Sequence, residues 1–595
     1  MSEETTRPIP ISIGSGGIPY AQTRLSPVED KVRGEITVPP WTVVPVVFVP
    51  GIMGSNLKAA KDIWLNKRKI HPEGARVWKV DNPTSPMNIW GKSPAYRQVV
   101  FNKDAMAVDN GGRIATGTRY VDMTGSIGGR PSPASTGETP RSRIAVEEAR
   151  KRGWGSLGWN YYGDFLDWLQ YQLNDGRLVD GKPNAVFEKL ARLVGTSPQG
   201  ARTQATGLSD AQVRKMLDIH FPVYAVGYNW LQSNIDSGRD LVQGTGSGKG
   251  RVMGIDEIIR RYDGVRGQTC KHVIVVTHSM GGLVARAAAL VHGAADRMLG
   301  IVHGVQPIDG AAAFYKRMAA GFGSEGWGAA WAASHVLGLT SREAIPELAY
   351  NPGPLELAPS KRYSDGKPWL FIKDRQGKVL KALPEHSDPY AEIYLDTTHV
   401  WRAVNPKWLD PTRMYDDGDA QFAFEKVVKK ARDYHDQLGG KLHPNTYAHW
   451  GADTDQKTWG SMSWSAVAGE TYTPSSWDMA MSQGMARPQW LPDRQHMPTE
   501  PEQWSFQTPV TAAGTQRELL SGKQEIHMTV EGPSDAGDGT VPAAASGAQI
   551  ANYAGCQIAC ALTGFDHQGD YEDDQVRDVL LDALVRLVEP VVVSD

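Results

Sequence analysis

The sequence predicts an α/β protein built on a mostly parallel sheet flanked by helices, and three observations carry that expectation. Apolar runs without alternation, "VVPVVFV" from Val43 and "VIVVTH" from Val273, mark strands covered on both faces. Helical periods follow such runs, and strand, helix, strand in succession is the grammar of right-handed crossovers in one sheet. One of these strands runs directly into "SMGG", a serine at a strand-to-helix turn.

At 595 residues the chain exceeds a single ordinary core, so a large insertion or a second domain is expected. Hydrophobic residues at 41% and charged residues at 22% describe a globular protein, and a net charge of −3 offers no basic field for nucleic acid. Three cysteines match neither a disulfide framework nor a zinc site, and Cys556 and Cys560, four apart in a predicted strand, are too distant to bridge. Met1 to Pro10 lacks the basic and apolar regions of a signal peptide, so export, if any, would bypass the general secretory route. Most of the 19 tryptophans fall between Trp327 and Trp504, which suggests an amphipathic surface for a greasy partner.

Taken in order, residues 1–40 carry turn signals ("IGSGGIPY", "TVPPW") and read as an arm. The first part of the core spans 41–310. It opens with the Val43–Val49 strand, closed by Pro50-Gly51, and 83–143 form a polar surface excursion. In "NYYGDFLDWLQYQLND", Phe165, Trp168, Leu169 and Leu173 recur at helical spacing. "FPVYAVGYNW" is a buried strand, Ile255 to Tyr262 a short helix, and "VIVVTHS" the next strand. "GGLVARAAALVHG" is a helix ended by Gly293, and "MLGIVHGVQPIDG" a strand and loop. A cap or lid insertion follows at 311–444, with helices around Ala312–Ala320 and Phe422–Tyr434. "NTYAHWG" restores a core strand within 445–453, 454–530 form a second insertion, and 531–595 complete the core. That last part holds the "CQIACAL" strand, a loop with His567 and an amphipathic terminal helix.

A serine hydroxyl attacks only when a base takes its proton and an acid orients that base. The α/β-hydrolase solution sets the serine on a strained elbow and supplies acid and then histidine later in the chain. Ser279 has the required context, with small Gly281 behind it, although Thr277 stands where G-x-S-x-G places its first glycine and requires the sheet to open slightly. His567, in the loop between the last strand and the last helix, is the base. His278 adjoins the serine but points away from it, and His272, His303 and His449 are packing residues. For the acid, position after a core strand favours Asp453, whereas the glycine-flanked "SDAGDGTVP" favours Asp538, which is adopted with Asp453 as the alternative. Oxyanion donors are expected from the amides of Met280, after the nucleophile, and of Ile52 in "VPGIMG".

These blocks, in this order, resemble the lecithin:cholesterol acyltransferase and lysosomal phospholipase group of α/β hydrolases: "VVFVPGIMGSNL", "LGWNYYGDFLDWL", "YAVGYNWLQSN", "VIVVTHSMGGLVAR", "YAHWG", "GDGTVP" and the His567 loop. The resemblance covers about a fifth of the chain and implies the same roles for Ser279, Asp538, His567, Ile52 and Met280. Thr277, Asn229 in the "GYNW" block and the large insertions depart from that group. "THSMGG", "PGPLELAPSKRY", "TYAHWGAD" and "GFDHQ" look more like bacterial type VI secretion lipase effectors. That resemblance implies an antibacterial phospholipase of A type, secreted without a signal peptide and acting at a target cell's membrane or periplasm. Its implied partners are membrane phospholipid, an immunity protein and a secretion-spike or adaptor protein. An acyltransferase or thioesterase of the same fold, and a non-catalytic hydrolase-fold binding module, are the competing readings. No metal or cofactor is required, although the acidic run "GFDHQGDYEDD" offers oxygen ligands for Ca²⁺.

Overall fold

The computed structural model describes residues 39–79, 91–116, 144–174, 189–322, 338–466 and 524–593 apart from single positions, with Ser142, short stretches within 5–36, and strand residues 488–489 and 516–521. Its centre is a sheet of six strands: β1 (Val46–Val49), β2 (Val223–Ala225), β3 (Val273–His278), β4 (Met298–Gly304), β5 (Thr446–Gly451) and β6 (Cys556–Leu562). They lie in the order β2-β1-β3-β4-β5-β6 and every pairing is parallel. This is the α/β-hydrolase architecture the strand grammar called for.

The long helices in chain order are α1 (Pro94–Val100), α2 (Trp159–Asn174), α3 (Asn234–Gln243), α4 (Ile255–Tyr262), α5 (Gly281–Leu290), α6 (Ala312–Ala320), α7 (Ser341–Leu348), α8 (Asp419–Leu438) and α9 (Asp574–Leu587). None of the described helices is long and apolar enough to cross a membrane. Alternate strand residues divide between the two faces. Val46, Phe48, Ile274 and Val276 pack with Phe165 and Leu169 of α2 and with Val576 and Leu580 of α9. Val47, Val49, Val273 and Val275 pack with Leu241 of α3, Ile258 of α4 and Leu283 of α5. Strands buried on both faces explain the unbroken apolar runs.

The chain crosses from β1 to β2 on one side and returns past β1 to β3, so the strand order reverses at β1. The crevice beyond the carboxyl ends of β1 and β3 is therefore the switch point where open α/β sheets place their ligands. Pro50-Gly51 leaves β1 there, and Ser279 leaves β3 there.

Several sequence expectations change. The excursion at 83–143 is not all surface: α1 and a strand at Met106–Val108 lie inside it, and Arg97, Val100, Phe101 and Met106 are buried. The two insertions are not separate either. Leu370–Lys373 pairs in parallel with Met462–Ala466, which pairs antiparallel with Gln524–Val530, so both excursions build one six-stranded cap sheet. For the described tryptophans the expected greasy surface is corrected as well. Trp369, Trp401, Trp459 and Trp464 are buried in the core shared by the cap and the sheet, because that cap sheet needs its own interior. Trp327, Trp331, Trp477, Trp490 and Trp504 lie outside the described residues.

The cap is tied down by a buried ion pair. Arg97 of α1 donates to Glu347 of α7 at 3.0 Å, and both side chains are almost fully enclosed. Burial pushes the Glu347 carboxyl up to about 8, so that group depends on its partner to stay ionised. Replacing Arg97→Ala strands the acid in the interior and should cost about 3–5 kcal/mol. Chemical denaturation at neutral pH checks it, and a loss below about 1 kcal/mol would contradict this role.

Candidate functional site

Ser279 stands at the end of β3 with φ at 51°, a left-handed backbone that a serine adopts only under constraint. Its amide donates to the Gly304 carbonyl at 2.9 Å, and α5 starts two residues later. The turn needs room in front and behind. A Cβ on Gly281 would sit 2.4 Å from the Val49 carbonyl oxygen, and one on Gly51 would sit 3.0 Å from the Ser279 Cβ. Two glycines thus let the ends of β1 and β3 touch.

Thr277 occupies the elbow's first position without opening the sheet. It pairs in register with Val49 on one side and His303 on the other. Its Oγ1 shares a hydrogen bond of 3.0 Å with His303 Nδ1, and its carbonyl accepts from the Tyr571 hydroxyl at 2.8 Å. Burial drives His303 down to about 3, so it serves as a neutral partner. The branched side chain is absorbed by a polar contact, not by strand separation.

The structure brings Ser279, His567 and Asp538 together. Ser279 Oγ lies 2.9 Å from His567 Nε2, and His567 Nδ1 lies 2.9 Å from Asp538 Oδ2. The His567 amide also donates to the Asp538 carbonyl at 2.8 Å, which fixes the base loop on the acid. The other Asp538 oxygen accepts from the amides of Thr540 and Val541, leaving Oδ2 for the histidine. Burial and the Arg317 guanidinium oppose a charged His567, but the Asp538 carboxylate and its hydrogen bond outweigh them and raise the imidazole above its usual value.

Asp538 follows the strand Asp535–Gly537, which runs antiparallel to Asp453–Thr458 with Asp453 opposite Gly537. Asp453 itself turns elsewhere: its carboxylate accepts from the amides of Asp455 and Gly564. The structure places Asp538, not Asp453, on the base. Ile52 is half-buried and Met280 buried, and neither amide finds an acceptor among the described residues. The turn that carries Ile52 is held by three aromatic tips. Gly51 N–H donates to the Tyr162 hydroxyl, the Tyr228 hydroxyl donates to the Pro50 carbonyl, and Trp78 Nε1 donates to the Met53 carbonyl.

Sequence reasoning missed Tyr162, Tyr228 and Asp570. The first two look like ordinary packing aromatics, and Asp570 was submerged in an acidic run. Asp570 is buried, with Oδ2 3.3 Å from His449 Nε2 and Oδ1 3.7 Å from His278 Nε2. His303 and His449 are enclosed as expected, whereas His272 is half-buried. Three further acids of "GFDHQGDYEDD" are already engaged. Asp566 accepts from the amides of Gln568 and Gly569, Asp573 caps α9, and Asp574 pairs with Lys189. Among the described residues, three ligand atoms converge only at Glu385, His386 and Glu392 on the cap, where the Glu392 carboxylate already accepts backbone amides.

Chemically, this arrangement suits removal of the serine proton, imidazolium stabilisation and anion binding at two free amides. Three outcomes are expected. If Ser279 attacks with His567 as its base, the acid limb of kcat/KM should lie above the ordinary histidine range, because the attack needs the neutral ring and its proton is held more tightly than usual. Asp538→Asn should move that limb to lower pH and cut kcat, and an unmoved limb in the pH–rate profile would contradict the coupling. Thr277→Gly, which removes the partner of His303 and loosens the strand, should cost about 2 kcal/mol in denaturant unfolding while kcat stays within about threefold.

No family model and no curated protein matches the chain. Solved structures do match it. One of them, the crystal structure of a Tle4–Tli4 complex, is similar at 26% identity with a TM-score of 0.67, covering 93% of this chain and 99% of that one. The similarity takes in nearly the full length of both chains, cap included, and the fold they share is that of the α/β hydrolases.

Proposed function

We propose that the chain is a serine esterase of phospholipase A type and a type VI secretion lipase effector. One observation carries the reading: a left-handed serine whose Oγ lies 2.9 Å from a histidine that a buried aspartate holds at 2.9 Å. Ser279 attacks the acyl carbonyl of a glycerophospholipid while His567 takes its proton. The oxyanion that develops is received by the amides of Ile52 and Met280. His567, steadied by Asp538, then passes the proton to the departing lysolipid alcohol. Water activated by the same imidazole resolves the acyl-enzyme.

Similarity to a protein solved as a Tle4–Tli4 complex supports the effector assignment and points to an immunity protein as a partner of this chain. Delivery by a secretion spike or its adaptor, and action at the target cell's periplasm or membrane, follow from the same reading. The test is mass spectrometry of products from phospholipid vesicles carrying distinct acyl chains at the two positions. The parent releases fatty acid and lysophospholipid, and Ser279→Ala releases neither, a loss of at least about 1,000-fold. Undiminished release by Ser279→Ala would overturn the assignment.

A further inference from the structure

His278, directly before the nucleophile, has no part in the proton transfer just described, yet it is almost completely buried against it. Its Nε2 lies 2.7 Å from the backbone carbonyl of His567. A carbonyl only accepts, so Nε2 carries the hydrogen. Burial disfavours the charged ring, and Nδ1 therefore presents a lone pair. The Tyr162 hydroxyl, 3.0 Å away, donates to that lone pair, and its oxygen in turn accepts the Gly51 amide at 3.2 Å. Hydrogens thus run one way along a closed chain: Gly51 N–H to Tyr162, Tyr162 O–H to His278, His278 N–H to His567. The groups facing His278 are the His567 ring, Tyr162, Tyr571 and the Asp570 carboxylate.

We propose that His278 and Tyr162 are positioning residues that hold the oxyanion turn, the nucleophile and the base loop in one register. The proposal rests on the serine-hydrolase reading. One imidazole is joined to all three segments: to Ser279 through the peptide bond, to the Ile52 turn through Tyr162, and to His567 through its carbonyl. Gly51 immediately precedes Ile52, so the bond to Tyr162 sets where that donor amide points. Tyr162 belongs to α2, which packs on the sheet face that carries α9, so the chain also anchors the site to the core. A small shift of either end separates donor, nucleophile and base by an amount to which catalysis is sensitive.

The experiment compares Tyr162→Phe, His278→Gln and the double variant on p-nitrophenyl butyrate, a short ester that needs no membrane. Rates are expressed per active site titrated with a fluorophosphonate, and thermal unfolding is followed in parallel. Each single variant should lose about 10- to 100-fold in kcat with KM within about threefold. The double variant should fall no further than the worse single one, because both changes cut the same chain. Single variants with parental kcat per titrated site, whatever their melting temperature, would overturn the proposal, as would losses that multiply in the double variant. Ser279→Ala is run alongside. If it still hydrolyses the ester, the serine-hydrolase reading fails; if it is dead while Tyr162→Phe is fully active, only the positioning role fails.

Discussion

The site depends on backbone contact between two strand ends. The turn after β1 and the elbow after β3 meet at the point where strand order reverses, and they meet only because neither Gly51 nor Gly281 carries a Cβ. The left-handed serine costs about 1–3 kcal/mol. The hydrogen bond from its amide to the Gly304 carbonyl and the parallel pairing on both sides of β3 hold it in that conformation. From this contact the remaining geometry follows. Met280 follows the serine directly, Ile52 follows Gly51 in the facing turn, and the positive end of α5 begins at Gly281.

The acid reaches this crevice indirectly. β5 ends at Gly451 and the chain leaves through Asp453–Thr458 into the cap. It returns about eighty residues later as Asp535–Gly537, pairing with the outgoing strand. Asp538 therefore arrives beside the position that Asp453 would have supplied directly. Gly451 makes the approach possible, since a Cβ there would lie 2.7 Å from that of Asp538. The cap sheet, formed from chain on both sides of β5, is the structure through which the acid is delivered. Cap folding and site assembly are thereby coupled.

This explains what the sequence disclosed and what it hid. The core strands announced themselves because burial on both faces leaves an unbroken apolar signature. Ser279 and His567 follow two such strands, whereas Asp538 follows a short, partly buried strand and was legible only through its flanking glycines. Position pointed to Asp453 and only the glycine-flanked motif pointed to Asp538, since pairing across an excursion leaves no local trace. Trp369, Trp401, Trp459 and Trp464 misled because an aromatic cluster in irregular sequence looks the same whether it lines a cap's interior or its surface. His278 was weighed only as a base and Tyr162 not at all, because the bonds that join them to Gly51 and His567 end on backbone atoms, which carry no residue-type signal.

The distribution of protons around the serine gives the arrangement its chemical sense. Burial keeps His278 and His303 below the usual histidine range, and the Asp538 carboxylate, with a smaller contribution from Asp570, lifts His567 above it. A second cationic imidazole beside His567 would repel the charge that this ring acquires in the proposed proton transfer. Holding the neighbours neutral confines that charge to the histidine with a carboxylate behind it. Neutrality also preserves direction. Only an uncharged His278 accepts from Tyr162 while donating to the base loop, so the desolvation that silences this histidine as a base also orders it as a clamp.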